Sequence, residues 1–179
     1  MGYADRQLAR FIRAVENEEW YKNTYVIVMA DHGFPLGENG VSTMNGGGFS
    51  NVSWIPFFIH GKGLEAVRDT TTAAQIDIAP TVLELAGFAV PNIFMGHNLL
   101  RDNGNGLSLG AYSGYAAIGL DGYRFIAKYP TQDETHIFAD SDLRQENELT
   151  GKLQNEESRL SATLDTLLKI SDYSLEKGL

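Results

Sequence analysis

Tyr25-Val26-Ile27-Val28-Met29-Ala30, followed at once by Asp31-His32-Gly33, is the stretch on which the reading of the fold turns. The run is apolar, rich in β-branched residues and closed by polar ones, the pattern of a fully buried strand. Its last apolar residue leads directly into a carboxylate and an imidazole. In open α/β sheets, ligands collect beyond the carboxyl ends of the strands. Asp31 and His32 offer one oxygen and one nitrogen donor to a divalent metal at such a place. The plainer alternative is a turn that Asp31 caps, with His32 an ordinary polar neighbour. The dipeptide alone favours that alternative, because a metal needs more than two ligands.

Towards the N-terminus, residues 5–18 place Leu8, Phe11, Ile12 and Val15 at helical spacing. A helix feeding a buried strand is half of an α/β layer. Towards the C-terminus, residues 33–53 form a long loop marked by Gly37, Gly40 and Asn45-Gly46-Gly47-Gly48. Loops of this length in a compact domain are functional or disordered. Glu38 and Asn39 are its polar side chains of ligand type. Trp54-Ile55-Pro56-Phe57-Phe58-Ile59-His60 reads as a second buried strand, with His60 in the turn that ends it. Gln75 to Thr81 opens a helix with Asp77 as N-cap and Pro80 in the first turn. Ile78, Val82, Leu83 and Ala86 face the core, Gly87 stops the helix, and His97 is a loop residue.

Residues 107–115 and 116–120 read as strand, Asp121-Gly122 as a two-residue turn and residues 123–129 as the returning strand. Arg124 and Lys128 fall on one side of it, which is expected to face solvent. The hairpin is therefore expected to be antiparallel and at the edge of a mostly parallel sheet. His136-Ile137-Phe138 adds a short strand. Leu153, Leu160, Leu164, Leu167 and Leu168 share one face of a terminal helix. The fold class is α/β, a mostly parallel sheet with an antiparallel hairpin and a C-terminal helix. Residues 1–150 form the body and residues 151–179 a helical tail.

At 179 residues the chain is long enough for one domain with a sizeable core. A net charge of −9 argues against nucleic acid or an anionic membrane surface as a partner. An anionic substrate needs a metal or local basic groups to overcome that field. With no cysteine there are no disulfides, thiolate zinc sites or Cys nucleophile. No apolar run reaches transmembrane length, and the N-terminus carries no signal-peptide pattern.

In this order the pieces resemble the C-terminal half of a sulfatase-type catalytic domain of the alkaline phosphatase superfamily. The matching stretches are Tyr3-Ala4-Asp5, Trp20 to Thr24, Val26 to Gly33, Ile55 to Ile59, Gln75 to Gly87 and Phe94 to Leu100. Within the superfamily, Asp31-His32 looks most like the lipoteichoic acid synthase and phosphoglycerol transferase branch. Two departures stand out. Trp54 occupies a position where many relatives carry a His. Asn39 stands near the position of a sulfate-holding His, and no Lys occurs in that loop.

The resemblance implies an α/β sandwich around a metal, with Asp31 and His32 as metal ligands. Manganese suits such a donor set best, and magnesium, calcium or zinc are compatible with it. It implies hydrolysis or transfer of a phospho- or sulfoester through a hydroxyl nucleophile that the metal activates. The nucleophile and the other ligands belong to the family's N-terminal half, and no Ser or Thr in residues 1–24 takes their place. The chain is therefore expected to be inactive alone. It is expected to partner with the missing N-terminal half or to form a homo-oligomer. The parent protein is expected to hold an extracytoplasmic or periplasmic catalytic domain on a membrane anchor. The competing class is a non-catalytic or interaction module that retains the fold.

Overall fold

α1 (Gly2–Val15) leads through a 3₁₀ turn (Glu19–Asn23) into β1 (Tyr25–Met29), which pairs with β2 (Phe57–Gly61). The computed structural model describes residues 2–34, 36–37, 52–88, 94–101 and 106–178. Chain contacts divide it into two units, Met1–Asp31 with Ile55–Asp69, and His32–Trp54 with Thr70–Leu179.

In the first unit Val15 and Tyr21 are buried. β1 and β2 run antiparallel, with Val26 opposite His60 and Met29 opposite Phe57. His60 thus lies inside the strand, not in a turn. Its ring centroid is 5.9 Å from that of Tyr21, and its Nε2 is 3.5 Å from Glu16 Oε1. β1 also departs from expectation, because none of its residues is fully buried. Tyr25, Met29 and Phe58 remain at least two-fifths exposed, as do Phe11 and Trp20. A continuous apolar run says that both faces of a strand want cover, and this unit supplies only part of it.

In the second unit a 3₁₀ turn (Gln75–Asp77) opens α2 (Ile78–Leu85). There follow β3 (Ser108–Tyr112), β4 (Tyr115–Leu120), β5 (Tyr123–Lys128), β6 (Thr135–Ala139) and α3 (Gln154–Lys177). The four strands form an antiparallel meander in chain order. Asp121-Gly122 makes the expected tight turn, with φ of 52° and 81°. Ser113-Gly114, with φ of 51° and 81°, makes a second one inside a stretch that reads as continuous strand. Positive φ at both central residues gives a type I′ turn, whose twist matches that of its strands.

The α/β class with a C-terminal helix holds, and strand direction is corrected. Among the described residues every strand pair is antiparallel. Apolar runs report how many faces are covered, not which way the neighbour runs. The β4–β5 hairpin lies in the middle of its sheet, flanked by β3 and β6, and not at an edge. Arg124 is buried with its Nη2 2.9 Å from Asp140 Oδ1, while Lys128 emerges to solvent. One face of the sheet packs Ile118, Phe125 and Ile137 against Leu160 and Leu164 of α3.

Asp77 is 2% exposed and, contrary to the expected N-cap, makes no side-chain bond to the first turn of α2; its carboxylate reaches elsewhere. Its Oδ2 accepts the Ala74 N–H at 2.7 Å, and its Oδ1 accepts the His97 N–H at 2.6 Å. Buried Thr81 extends the staple. Its hydroxyl donates to Asp77 O at 2.6 Å and accepts the Leu99 N–H at 3.1 Å. Pro80 and Thr81 therefore take the inner side of α2, and Val82, expected in the core, is partly exposed. Gly87 ends the helix at φ +75°, with Phe88 N–H to Leu83 O and Gly87 N–H to Glu84 O both at 3.0 Å.

Gly96 closes the staple, because a Cβ there would lie 2.0 Å from Ile76 O. Gly96→Ala is expected to destabilise the second unit by roughly 2–4 kcal/mol through backbone displacement and lost hydrogen bonds. Asp77→Ala, which orphans two N–H groups, is expected to cost about as much. Urea unfolding measures both, and an unchanged midpoint for Gly96→Ala would contradict this packing.

Candidate functional site

Asp31 and His32 follow β1 at its carboxyl end, separated from it by Ala30 alone. Asp31 lies in a bend, and both residues are exposed. His32 Nδ1 is 2.8 Å from Gly33 O. A carbonyl oxygen only accepts, so Nδ1 is the donor in this contact, and in the tautomer with that proton alone Nε2 is the acceptor. That is the tautomer an Nε2 metal ligand requires, fixed here by a backbone carbonyl.

Two further contacts set the surroundings of His32. Its ring centroid lies 6.4 Å from that of Tyr112, the last residue of β3, with the planes tilted by 48°. The next residue, Gly33, donates its N–H to Val52 O at 2.7 Å, and Val52 is buried. The ends of the long loop are thereby tied together. Glu38 and Asn39 lie outside the described residues.

The other three histidines each face a carboxylate. His60 faces Glu16, His97 lies with its Nδ1 3.8 Å from Asp77 Oδ1, and His136 sits between Glu134 and Glu148. Among the described residues no group of three or more His, Asp or Glu could hold a metal. Asp31 and His32 therefore suit a divalent ion by donor type and fall short of a full coordination sphere by number. The sequence reading missed Tyr112, whose only signal was strand alternation. It also missed His136, whose partner Glu134 stands two residues earlier, just ahead of β6.

The family profile described as Sulfatase matches residues 1–88. The solved structure of a 2-O GAG sulfatase superposes with a TM-score of 0.74 at 19% identity, over 97% of this chain and 42% of that one. Residues 1–88 are thus similar to the sulfatase family, and the fold is that of solved sulfatases. The chain is 31% identical over 98 residues to an uncharacterized sulfatase, YidJ, of Escherichia coli K12, covering 55% of the chain and 20% of the relative. It is 27% identical over 112 residues to the lipoteichoic acid synthase of Staphylococcus saprophyticus, covering 58% and 17%. It thus spans a fifth or less of the length of these two relatives.

The His32–Tyr112 contact gives a direct check on the site. Tyr112→Ala is expected to shift the ring proton resonances of His32 and to leave those of His136 in place. Unchanged His32 resonances would mean that the two rings do not meet in solution.

Proposed function

We propose that this chain supplies Asp31 and His32 as two ligands of the metal in a phospho- or sulfoester hydrolase or transferase. One observation carries the proposal: an exposed carboxylate and an imidazole protonated on Nδ1 follow each other at the carboxyl end of β1. The general metal dependence of the superfamily supports it. A divalent ion held there, manganese before magnesium, calcium or zinc, would supply Lewis-acid polarisation of an ester oxygen. Asp31 contributes charge. His32 contributes a directed lone pair, held in place by the Gly33 carbonyl. The net charge of −9 favours holding a cation and leaves an anionic ester dependent on it.

The remaining ligands and the hydroxyl nucleophile are assigned to an N-terminal half of the domain. It would seat on the first unit, where Phe11, Trp20, Tyr25, Met29 and Phe58 stand exposed. A membrane anchor and an extracytoplasmic location belong to that same half. Among the described residues no helix is long and apolar enough to cross a membrane. The Asp-His pair and the lipoteichoic acid synthase relative favour phosphoester transfer, and the sulfatase relatives favour a sulfate ester.

The test mixes this chain with the separately expressed N-terminal half and follows release from aryl phosphate and aryl sulfate with added manganese. Metal-dependent turnover is expected in the mixture alone, reduced about a hundredfold by Asp31→Ala or His32→Ala. Turnover by the isolated chain would refute the two-part site. Full activity of Asp31→Ala in the mixture would refute the ligand assignment.

A further inference from the structure

We propose that His136 is the bolt of a pH-dependent latch that keeps residues 148–152 over the outer edge of β6. β6 is the last strand of the meander, and among the described residues no strand lies on its outer side. Unpaired N–H and C=O groups on such an edge are a template for another strand. Ile137 shows how the edge is covered. Its C=O accepts the Leu149 N–H at 2.9 Å, and its N–H donates to Thr150 Oγ1 at 3.1 Å.

Side chains hold the covering segment in turn. The Thr150 hydroxyl donates to Glu148 Oε1 at 2.7 Å, and the same oxygen lies 2.8 Å from His136 Nδ1. On the other side of the ring, Nε2 lies 3.3 Å from Glu134 Oε1, which also accepts the Tyr115 hydroxyl of β4 at 3.0 Å. A carboxylate on each ring nitrogen asks for an N–H on both, and only the imidazolium has them. The two carboxylates approach opposite nitrogens, so they share no point where a cation could sit. The ring stacks on Phe138, with centroids 6.4 Å apart. The other charges facing this cluster are Lys152, whose Nζ donates to Glu148 O at 2.8 Å, and Lys128, 4.0 Å from Asp133. From α3, Glu157 accepts the Gly151 N–H at 2.6 Å.

Partial burial disfavours the charged ring, and the bonds to Glu148 and Glu134 outweigh it, so His136 titrates above its ordinary range. Glu148, bonded first by Thr150 and then by His136, titrates below its own range, as does Glu134, bonded by His136 and Tyr115. A raised imidazole stabilises fully below its ordinary value, and the effect is lost as pH rises through its value in the fold. The lowered carboxylates lose theirs at the acid end. The latch is therefore shut while His136 is charged and opens as pH rises through the raised value of its ring, leaving Ile137 available to a second strand.

Amide exchange of the 179-residue chain from about pH 6 to about pH 9, corrected for intrinsic chemistry, tests this. Ile137 and residues 148–152 are expected to lose protection severalfold as pH rises, while the β4–β5 ladder stays constant. His136→Gln is expected to show low protection at every pH, with the β4–β5 ladder confirming that the unit is folded. Glu148→Gln keeps an acceptor for Thr150 but not the charge, and is expected to move the opening to lower pH. Flat protection in the unsubstituted chain, or an undiminished alkaline loss in His136→Gln, would overturn the proposal.

Discussion

The covering of one apolar sheet face by one helix is the constraint on which the second unit depends. Ile118, Phe125 and Ile137 point to that face, and Leu160 and Leu164 close over them, all 0–2% exposed. A strand repeats its inner face every two residues and a helix about every 3.6, and both periods meet in this seam. Fixing the seam fixes the sheet, and with it the place of Tyr112 at the end of β3 beside His32. It also brings Glu157 of α3 to the backbone of the segment that runs along β6.

The first unit stands in contrast. A two-stranded sheet is marginal without cover on its apolar faces. β1 and β2 carry Tyr25, Met29 and Phe58 with much of each ring or chain in water. The sequence of β1 is that of an interior strand, and the described residues of this unit cover it only in part.

Periodicity and turn chemistry were legible from the residues. Leu8, Ile12 and Val15 marked α1, Asp121-Gly122 marked a I′ turn, and the leucine stripe marked α3. The place where β1 gives way to Asp31-His32 was legible too. What stayed hidden were partners far apart in the chain. Asp77 meets the backbone of His97 twenty residues on, and Arg124 finds Asp140 sixteen residues on. A sequence pattern records that a face is covered and is silent on what covers it. Arg124 was therefore expected in water, and strand direction was misjudged. For the candidate site, the resemblance supplied the position of the two donors. The proton on His32 depended on a carbonyl whose direction no residue pattern encodes.

The bond between Gly33 N–H and Val52 O works as a drawstring. Once a loop is closed at its neck, doubling the chain beyond the neck costs only about 0.6 kcal/mol in closure entropy. Insertions and deletions between the two anchors are thus nearly free to the scaffold, while His32 stays beside the knot. Related chains can vary that stretch in length without displacing the residues at its neck.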